Sequence, residues 1–227
     1  MAQTQAWENE YRNSKLVTKK SEPQKDVLRF FKYLKKEEKK ELSGLNILDL
    51  GCGTGRNSNY LAELGNTVVG IDISKTAIDI AKSRANEMQL NNVSYTIGDI
   101  GASYPFTDNY FDLILDITSS NSLNDKERDI YIKEAYRALK KSGYLFVRAL
   151  CKDGDKNAKN LLKLSPGKEY DTYIIKELDL TERVFTEKDF REFYGNYFKI
   201  KKLLKKSGYA KFQNQSYKRN YWLVYMQ

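Results

Sequence analysis

The sequence predicts an α/β protein, with a mostly parallel sheet covered by helices on both faces and closed by an antiparallel pair of C-terminal strands. Three observations predict it. Short apolar runs alternate with stretches of helical period from residue 22 to residue 150. The segments between them are short and carry glycine or a helix-capping residue. After residue 150 the alternation stops, and two last apolar runs lie close enough in sequence to pair antiparallel.

Residues 22–42 read as a helix, with Val27, Phe30, Phe31 and Leu34 at three- and four-residue spacing and Gly44 ending it. Residues 45–50 (LNILDL) form a short run suited to a strand buried on both faces. A glycine loop follows, then a helix over 57–64 and a strand over 67–71 that ends at Asp72. Ser74 is placed to cap the next helix, whose face is marked by Ala77, Ala81, Ala85 and Met88. Strands are expected at 93–97 and 111–117. Asn124 and Glu127 then form a capping-box pair for a helix that buries Ile132, Ala135, Tyr136 and Leu139 and stops at Gly143. A fifth strand covers 144–150. The polar stretch 152–170 reads as a loop or lid, 186–194 as a capped helix, and 197–204 and 221–226 as the final strands. The expected organisation is an N-terminal cap segment and helix over 1–43 and a core over 44–227, with 152–185 inserted as a lid.

Composition narrows the chemistry. The 227-residue chain has no histidine and two cysteines, Cys52 and Cys151. Histidine-based general bases, nucleophile–histidine pairs and imidazole-ligated metals are excluded, and no metal site is expected. With neither a signal peptide nor a membrane-spanning apolar run, a cytoplasmic location is the default expectation. The net charge is +9, and residues 196–220 hold eight basic side chains and no acid. That stretch is either a solvated edge or an attractor for an anionic partner.

Asp49-Leu50-Gly51-Cys52-Gly53-Thr54-Gly55 sits directly between a strand and a helix. Glycines there let the backbone turn sharply and approach a ligand. The dinucleotide fingerprint G-x-G-x-x-G fails, because its last glycine would fall on Arg56. The pattern is D-x-G-x-G-x-G.

Four stretches in order, ILDLGCGTG (47–55), VVGIDIS (68–74), IGDI (97–100) and FDLILDI (111–117), the last followed by a capped helix and KSGYLFV (141–147), resemble the class I S-adenosylmethionine-dependent methyltransferases. Arg56-Asn57-Ser58 after the loop, and the N-terminal Trp7 and Tyr11, resemble the tellurite-resistance and small-molecule branch. The resemblance implies a Rossmann-like seven-stranded sheet and S-adenosyl-L-methionine as methyl donor, with S-adenosyl-L-homocysteine as its product. It implies that Gly51, Cys52, Gly53 and Gly55 make room for the amino-acid end of the donor. Asp49 accepts hydrogen bonds either from the donor ammonium or from the loop backbone. Asp72 accepts from the ribose hydroxyls, Ile73 flanks the adenine, and Asp99 and the Ile100 backbone read the adenine edge.

A sulfonium donor carries an activated methyl group, so methyl transfer does not require histidine. A thiolate or amine acceptor needs little acid–base help, whereas a hydroxyl acceptor needs a base. The candidates for that base are Asp116 and a tyrosine such as Tyr11; Asp116 alternatively holds the methionine part of the donor or caps the loop. Trp7 and Tyr11 form either a movable cap over the donor or a hydrophobic staple. Thr118, Ser119, Ser120 and Asn121 are expected on the opposite wall. A small-molecule acceptor is favoured. Nucleic acid, held by the basic 196–220 stretch with its interleaved aromatic residues, is the second reading, and a donor-binding protein without catalysis is the third.

Overall fold

The computed structural model describes residues 3–16, 20–212 and 215–227. Two helices, α1 (Thr4–Arg12) and α2 (Lys25–Lys36), precede the alternating part of the chain. That part runs β1 (Asn46–Leu50), α3 (Arg56–Glu63), β2 (Thr67–Asp72), α4 (Lys75–Glu87), β3 (Val93–Ile97), β4 (Phe111–Ile117), α5 (Asp125–Ala138) and β5 (Leu139–Leu150). Then come α6 (Lys156–Leu164), a small hairpin of β6 (Thr172–Ile175) and β7 (Leu180–Arg183), α7 (Glu187–Phe193), and the long strands β8 (Ile200–Phe212) and β9 (Gln215–Met226).

The main sheet has seven strands in the order β3-β2-β1-β4-β5-β9-β8. Strands β1 to β5 pair in parallel. Strand β9 runs antiparallel to both β5 and β8. The strand order reverses between β1 and β4, and ligands of open α/β sheets bind in the crevice that such a reversal leaves at the carboxyl ends of the strands.

Both faces of the sheet are covered because both faces of its strands are apolar. On one face, Val27, Phe30, Phe31 and Leu34 of α2 pack with Tyr144, Phe146, Leu223 and Tyr225. Phe30 lies 4.8 Å, ring centroid to ring centroid, from both Phe146 and Tyr225. On the other face, Ile132 and Ala135 of α5 join Phe190, Tyr194, Trp222 and Val224. The N-terminal 43 residues therefore divide between two tasks: α2 completes the core, and α1 reaches the carboxyl ends of the strands.

Three expectations are corrected. Helix α5 ends at Ala138, not at Gly143, and strand β5 already begins at Leu139. The pairing of β4 with β5 slips between Phe111↔Leu139 and Leu113↔Tyr144. Gly143 belongs to that bulge, where a Cβ would lie 2.8 Å from the Leu139 side chain; it is a bulge glycine and not a helix stop. Tyr136, expected in the core, is exposed, and Leu139 is buried from the strand.

The polar 152–170 stretch holds a helix, with Asp155 as its cap accepting from the Ala158 amide at 2.8 Å. Ala158, Leu161 and Leu162 give that helix an apolar face toward Tyr173 and Val184. The last two strands are longer than expected and form one hairpin that projects beyond the sheet. Among the described residues, no helix is long and apolar enough to cross a membrane.

Phe30→Ala empties a fully buried aromatic site between α2 and the sheet. Urea denaturation followed by circular dichroism should show a stability loss of about 3–5 kcal/mol.

Candidate active site at the carboxyl ends of the strands

The turn after β1 is tied to β2. The Gly51 and Cys52 amides both donate to the Ile71 carbonyl, at 2.8 and 2.9 Å, and the Gly53 amide donates to Asp72 Oδ2 at 2.9 Å. Gly51 and Gly53 have φ of +68° and +55°, the left-handed region that side chains strain to enter. Space is closed as well. A Cβ on Gly51 would lie 2.1 Å from Ser119 Oγ, and one on Gly53 would lie 2.7 Å from the Tyr11 hydroxyl. Gly55 caps α3 against Tyr95 and does not face the cavity.

A cavity of about 1070 Å³ opens above this turn. A drug-sized pocket measures about 300–1,000 Å³, so the space suits a nucleoside-sized donor and a compact acceptor together. The inner arm is lined by Gly51, Cys52, Gly53, Asp72, Ile73, Asp99 and Ile100. Trp7 and Tyr11 of α1 face it from one side, and Thr118 and Ser119 after β4 from the other. Asp49, Asp116 and Asn121 do not line it.

Asp72 is already engaged, since its Oδ1 also accepts the Ser74 amide at 2.9 Å. A carboxylate has about four acceptor sites, so capacity remains for a hydroxyl group. Burial raises its pKa to about 6 despite these amide hydrogen bonds. Asp99 Oδ1 accepts the Gly101 amide at 2.8 Å. Burial pushes the Cys52 thiol well up, so it stays protonated and is no nucleophile.

Asp49 and Asp116 support the loops from beneath. Asp49 takes the Ser58 hydroxyl at 2.6 Å, and burial raises its pKa to about 6. Asp116, fully buried, accepts the amides of Ser119 and Ser120 at 2.9 and 3.2 Å on one oxygen and the Tyr131 hydroxyl at 2.9 Å on the other. With both oxygens occupied and the cavity out of reach, it orients the Thr118–Ser120 turn; the general-base expectation is corrected. Thr118 in that turn has a φ of +65°. Asn121 joins the same turn to β5, donating to the Thr118 carbonyl and accepting the Leu150 amide.

Trp7 and Tyr11 stand one helical turn apart with ring centroids at 6.2 Å. Burial first, and then the Asp72 charge, push the Tyr11 phenol well above its ordinary value. It remains a hydroxyl donor over Gly53 and is not a base.

Two residues that the sequence did not mark hold α1 in place. Glu8 accepts from Ser74 Oγ at 2.7 Å, from Thr76 Oγ1 at 2.6 Å and from the Thr76 amide at 3.1 Å. Gln3 donates to the carbonyls of Ser122 and Thr181, at 2.8 and 2.7 Å, and accepts the Thr181 amide. Their partners are 66 to 178 positions away, so no local pattern reveals them.

The outer arm of the cavity lies under α6, β6, β7 and the β8–β9 hairpin, with Arg148, Leu161, Tyr173, Glu182, Tyr217, Arg219 and Tyr221 on its wall. Leu161 falls in the 152–170 stretch expected as a lid, and Tyr217 and Tyr221 among the aromatic residues of the nucleic-acid reading; Arg148, Tyr173, Glu182 and Arg219 were not individually expected at the site. The basic 196–220 stretch is largely engaged internally. Lys201 pairs with Glu38, Lys202 with Glu37 and Lys206 with Asp26. Lys205 lies 5.9 Å from the Trp222 ring, and Arg219 is buried beside Asp155. Among the described residues, no cluster of three or more acidic or cysteine side chains is placed to hold a metal.

A family model described as a methyltransferase domain matches residues 41–189. A 2-heptyl-1-hydroxyquinolin-4(1H)-one methyltransferase of Mycobacteroides abscessus is 35% identical over 117 residues, covering 52% of this chain and 48% of that protein. A ubiquinone biosynthesis O-methyltransferase of Pelagibacter ubique is 34% identical over 131 residues, covering 58% and 51%. The matches thus span about half the length of these curated relatives. A solved SAM-dependent methyltransferase of Methanosarcina mazei superposes with a TM-score of 0.70 at 26% identity, over 82% of this chain and 92% of that one.

Glu8 also yields a pH prediction. Burial acts to raise its pKa, but hydrogen bonds from Thr76 and Ser74 outweigh this and lower it from 4.5 to about 2. A depressed carboxyl pKa contributes stability that is complete above the unfolded value and lost as pH falls through the folded one. Glu8→Gln should therefore have a lower Tm than the parent at neutral pH. The gap, read by calorimetry, should close between about pH 4.5 and pH 2.

Proposed function

Because the chain belongs to the methyltransferase-domain family, we propose that it transfers the methyl group of S-adenosylmethionine to a small acceptor bound in the outer arm of the cavity. The observation that carries this reading is one continuous cavity, in which an acid-lined glycine turn opens directly into a tyrosine-rich space. Relatives that methylate small molecules agree with it.

The inner arm fits the donor. Asp72 has acceptor capacity left for a ribose hydroxyl, Ile73 and Ile100 offer apolar faces to the adenine, and Asp99 has a second oxygen for its exocyclic amine. Gly51 and Gly53 let the turn pack directly against Ser119 and Tyr11 at the cavity wall. The donor supplies a methyl group already activated by its positive sulfur. The residues of the chain bind, orient and exclude water. Trp7 and Tyr11 cover the turn, and the aromatic faces favour a sulfonium. Thr118 and Ser119, held by Asp116, form the opposite wall.

The nucleic-acid reading draws little support, because Lys201, Lys202 and Lys206 are neutralised by the acids at Asp26, Glu37 and Glu38.

Two measurements test the reading. In isothermal titration, S-adenosylhomocysteine should bind, and Asp72→Ala should weaken binding by about 2–4 kcal/mol, from the charge-assisted hydrogen bonding it removes. Since the Asp72 carboxyl sits at about 6, affinity should fall about tenfold for each pH unit below that value as the acceptor becomes protonated. Tight NAD binding without binding of the sulfur ligand would end the reading.

With labelled donor, the label should appear in a pool of small metabolites and not in RNA. An RNA product whose binding weakens about a thousandfold between about 50 and 200 mM salt would replace the small-molecule acceptor with a polymer.

A further inference from the structure

The outer arm contains a carboxylate that donor binding does not use. Glu182, on β7, lines the cavity although 92% of its surface is covered (8% exposed). Its Oε2 accepts the Tyr173 hydroxyl at 2.7 Å, and its Oε1 accepts no hydrogen bond from any described residue. Tyr173, fully buried on β6 and in register with Glu182, receives both terminal guanidinium nitrogens of Arg219 on its oxygen, at 3.2 and 3.1 Å. Arg219 in turn lies 3.7 Å from the Asp155 carboxylate.

The chain from Asp155 through Arg219 and Tyr173 fixes one oxygen of Glu182 and leaves the other toward the cavity. Burying a carboxylate in this way is costly unless it is used or paired. On the same strand, the Thr181 backbone is bound to Gln3, which also holds the Ser122 carbonyl, so β7 is tied to α1 and to the turn after β4.

We propose that Glu182 is the catalytic base of this cavity and that the acceptor it serves is an aromatic hydroxyl compound. The proposal rests on the methyl-transfer reading and specifies its acceptor. Thiolates and free amines attack a sulfonium methyl without a base; a neutral hydroxyl does not. The tyrosines and Leu161 around Glu182 suit a flat apolar scaffold.

In the step, the hydroxyl proton passes to Glu182 Oε1 as an oxygen lone pair forms the new C–O bond. The methyl–sulfur bond breaks, and its electron pair stays on sulfur as the neutral thioether. The carboxylic acid then releases its proton to water. Tyr173 acts through Glu182 and is a positioning residue.

The groups facing Glu182 set its titration: Tyr173 from β6, and Arg219 and Tyr217 from β9. Burial raises its pKa, against the Tyr173 hydrogen bond and the Arg219 charge. The base must be ionised, so kcat/KM should rise with pH along an acidic limb.

The test measures methyl transfer from labelled S-adenosylmethionine to catechol, 1-naphthol and 2-naphthalenethiol across pH, with S-adenosylhomocysteine titrated in parallel. At a donor concentration that stays saturating across the pH range, so that the Asp72 titration does not shape the rate, the parent protein should methylate a hydroxyl probe with an acidic limb. Glu182→Gln should lower kcat about a hundredfold or more and abolish the limb, while its affinity for S-adenosylhomocysteine is retained. Tyr173→Phe removes the hydroxyl that holds Oε2 and should move the limb to higher pH, which keeps the proposal testable if Glu182→Gln fails to fold. A Glu182→Gln protein with parental rate or limb would overturn the proposal. So would transfer to the thiol alone, or transfer to no hydroxyl probe by a protein that binds S-adenosylhomocysteine. Failure of the parent to bind S-adenosylhomocysteine would instead bring down the methyl-transfer reading itself.

Discussion

The clamp between the glycine turn and strand β2 is the constraint on which the site depends. One carbonyl, that of Ile71, takes two successive amides from the turn, and the next residue, Asp72, takes a third from Gly53. These bonds exist only if β1 and β2 pair in register, Leu50 against Ile71. Buried amides that lose their acceptors cost more than the bonds themselves contribute, so turn and sheet form together. The left-handed glycines then follow, because no side chain fits where Ser119 and Tyr11 already stand.

Around that clamp the acids do different work according to depth. Asp49 and Asp116 are beneath the surface, filled by Ser58, Tyr131 and backbone amides, and they stiffen the turns that face the cavity. Asp72 and Asp99 lie at the cavity wall with acceptor capacity to spare. Helix α1 is short and would be marginal alone. It is held by side-chain hydrogen bonds from its N-cap residue Gln3 to β7 and from Glu8 at its middle to the start of α4. The cap, the donor turn and the outer arm are therefore mechanically joined.

The outer arm is built by the part of the chain with the weakest local signals. Helix α6 carries a cap and an apolar face in its sequence, Asp155 with Ala158, Leu161 and Leu162, which the polar residues around it mask. The β6–β7 hairpin has four-residue strands, too short for their alternation to stand out. Its interior polar network joins residues from four separate segments. The same nonlocality explains the lysines of the last hairpin: read along the chain they form a run of positive charge, and in space Asp26 of α2 and Glu37 and Glu38 just after it meet them.

The sequence by itself determined the parallel core. Continuous apolar runs and helix caps are local signals, so β3 and β4 fall on the residues expected, and the capping boxes at Asn124 and Thr186 form. It also marked the donor-side turn, because strand ends, left-handed glycines and their following acids are contiguous in the chain. Tertiary structure alone decided which acids face the cavity, that Glu8 and Gln3 pin the cap, and that Glu182 stands over the outer arm with Tyr173 and Arg219 behind it. Those outcomes depend on hydrogen bonds between residues tens of positions apart, and burial, which sets their protonation, is a property of the packed sheet and not of any segment within it.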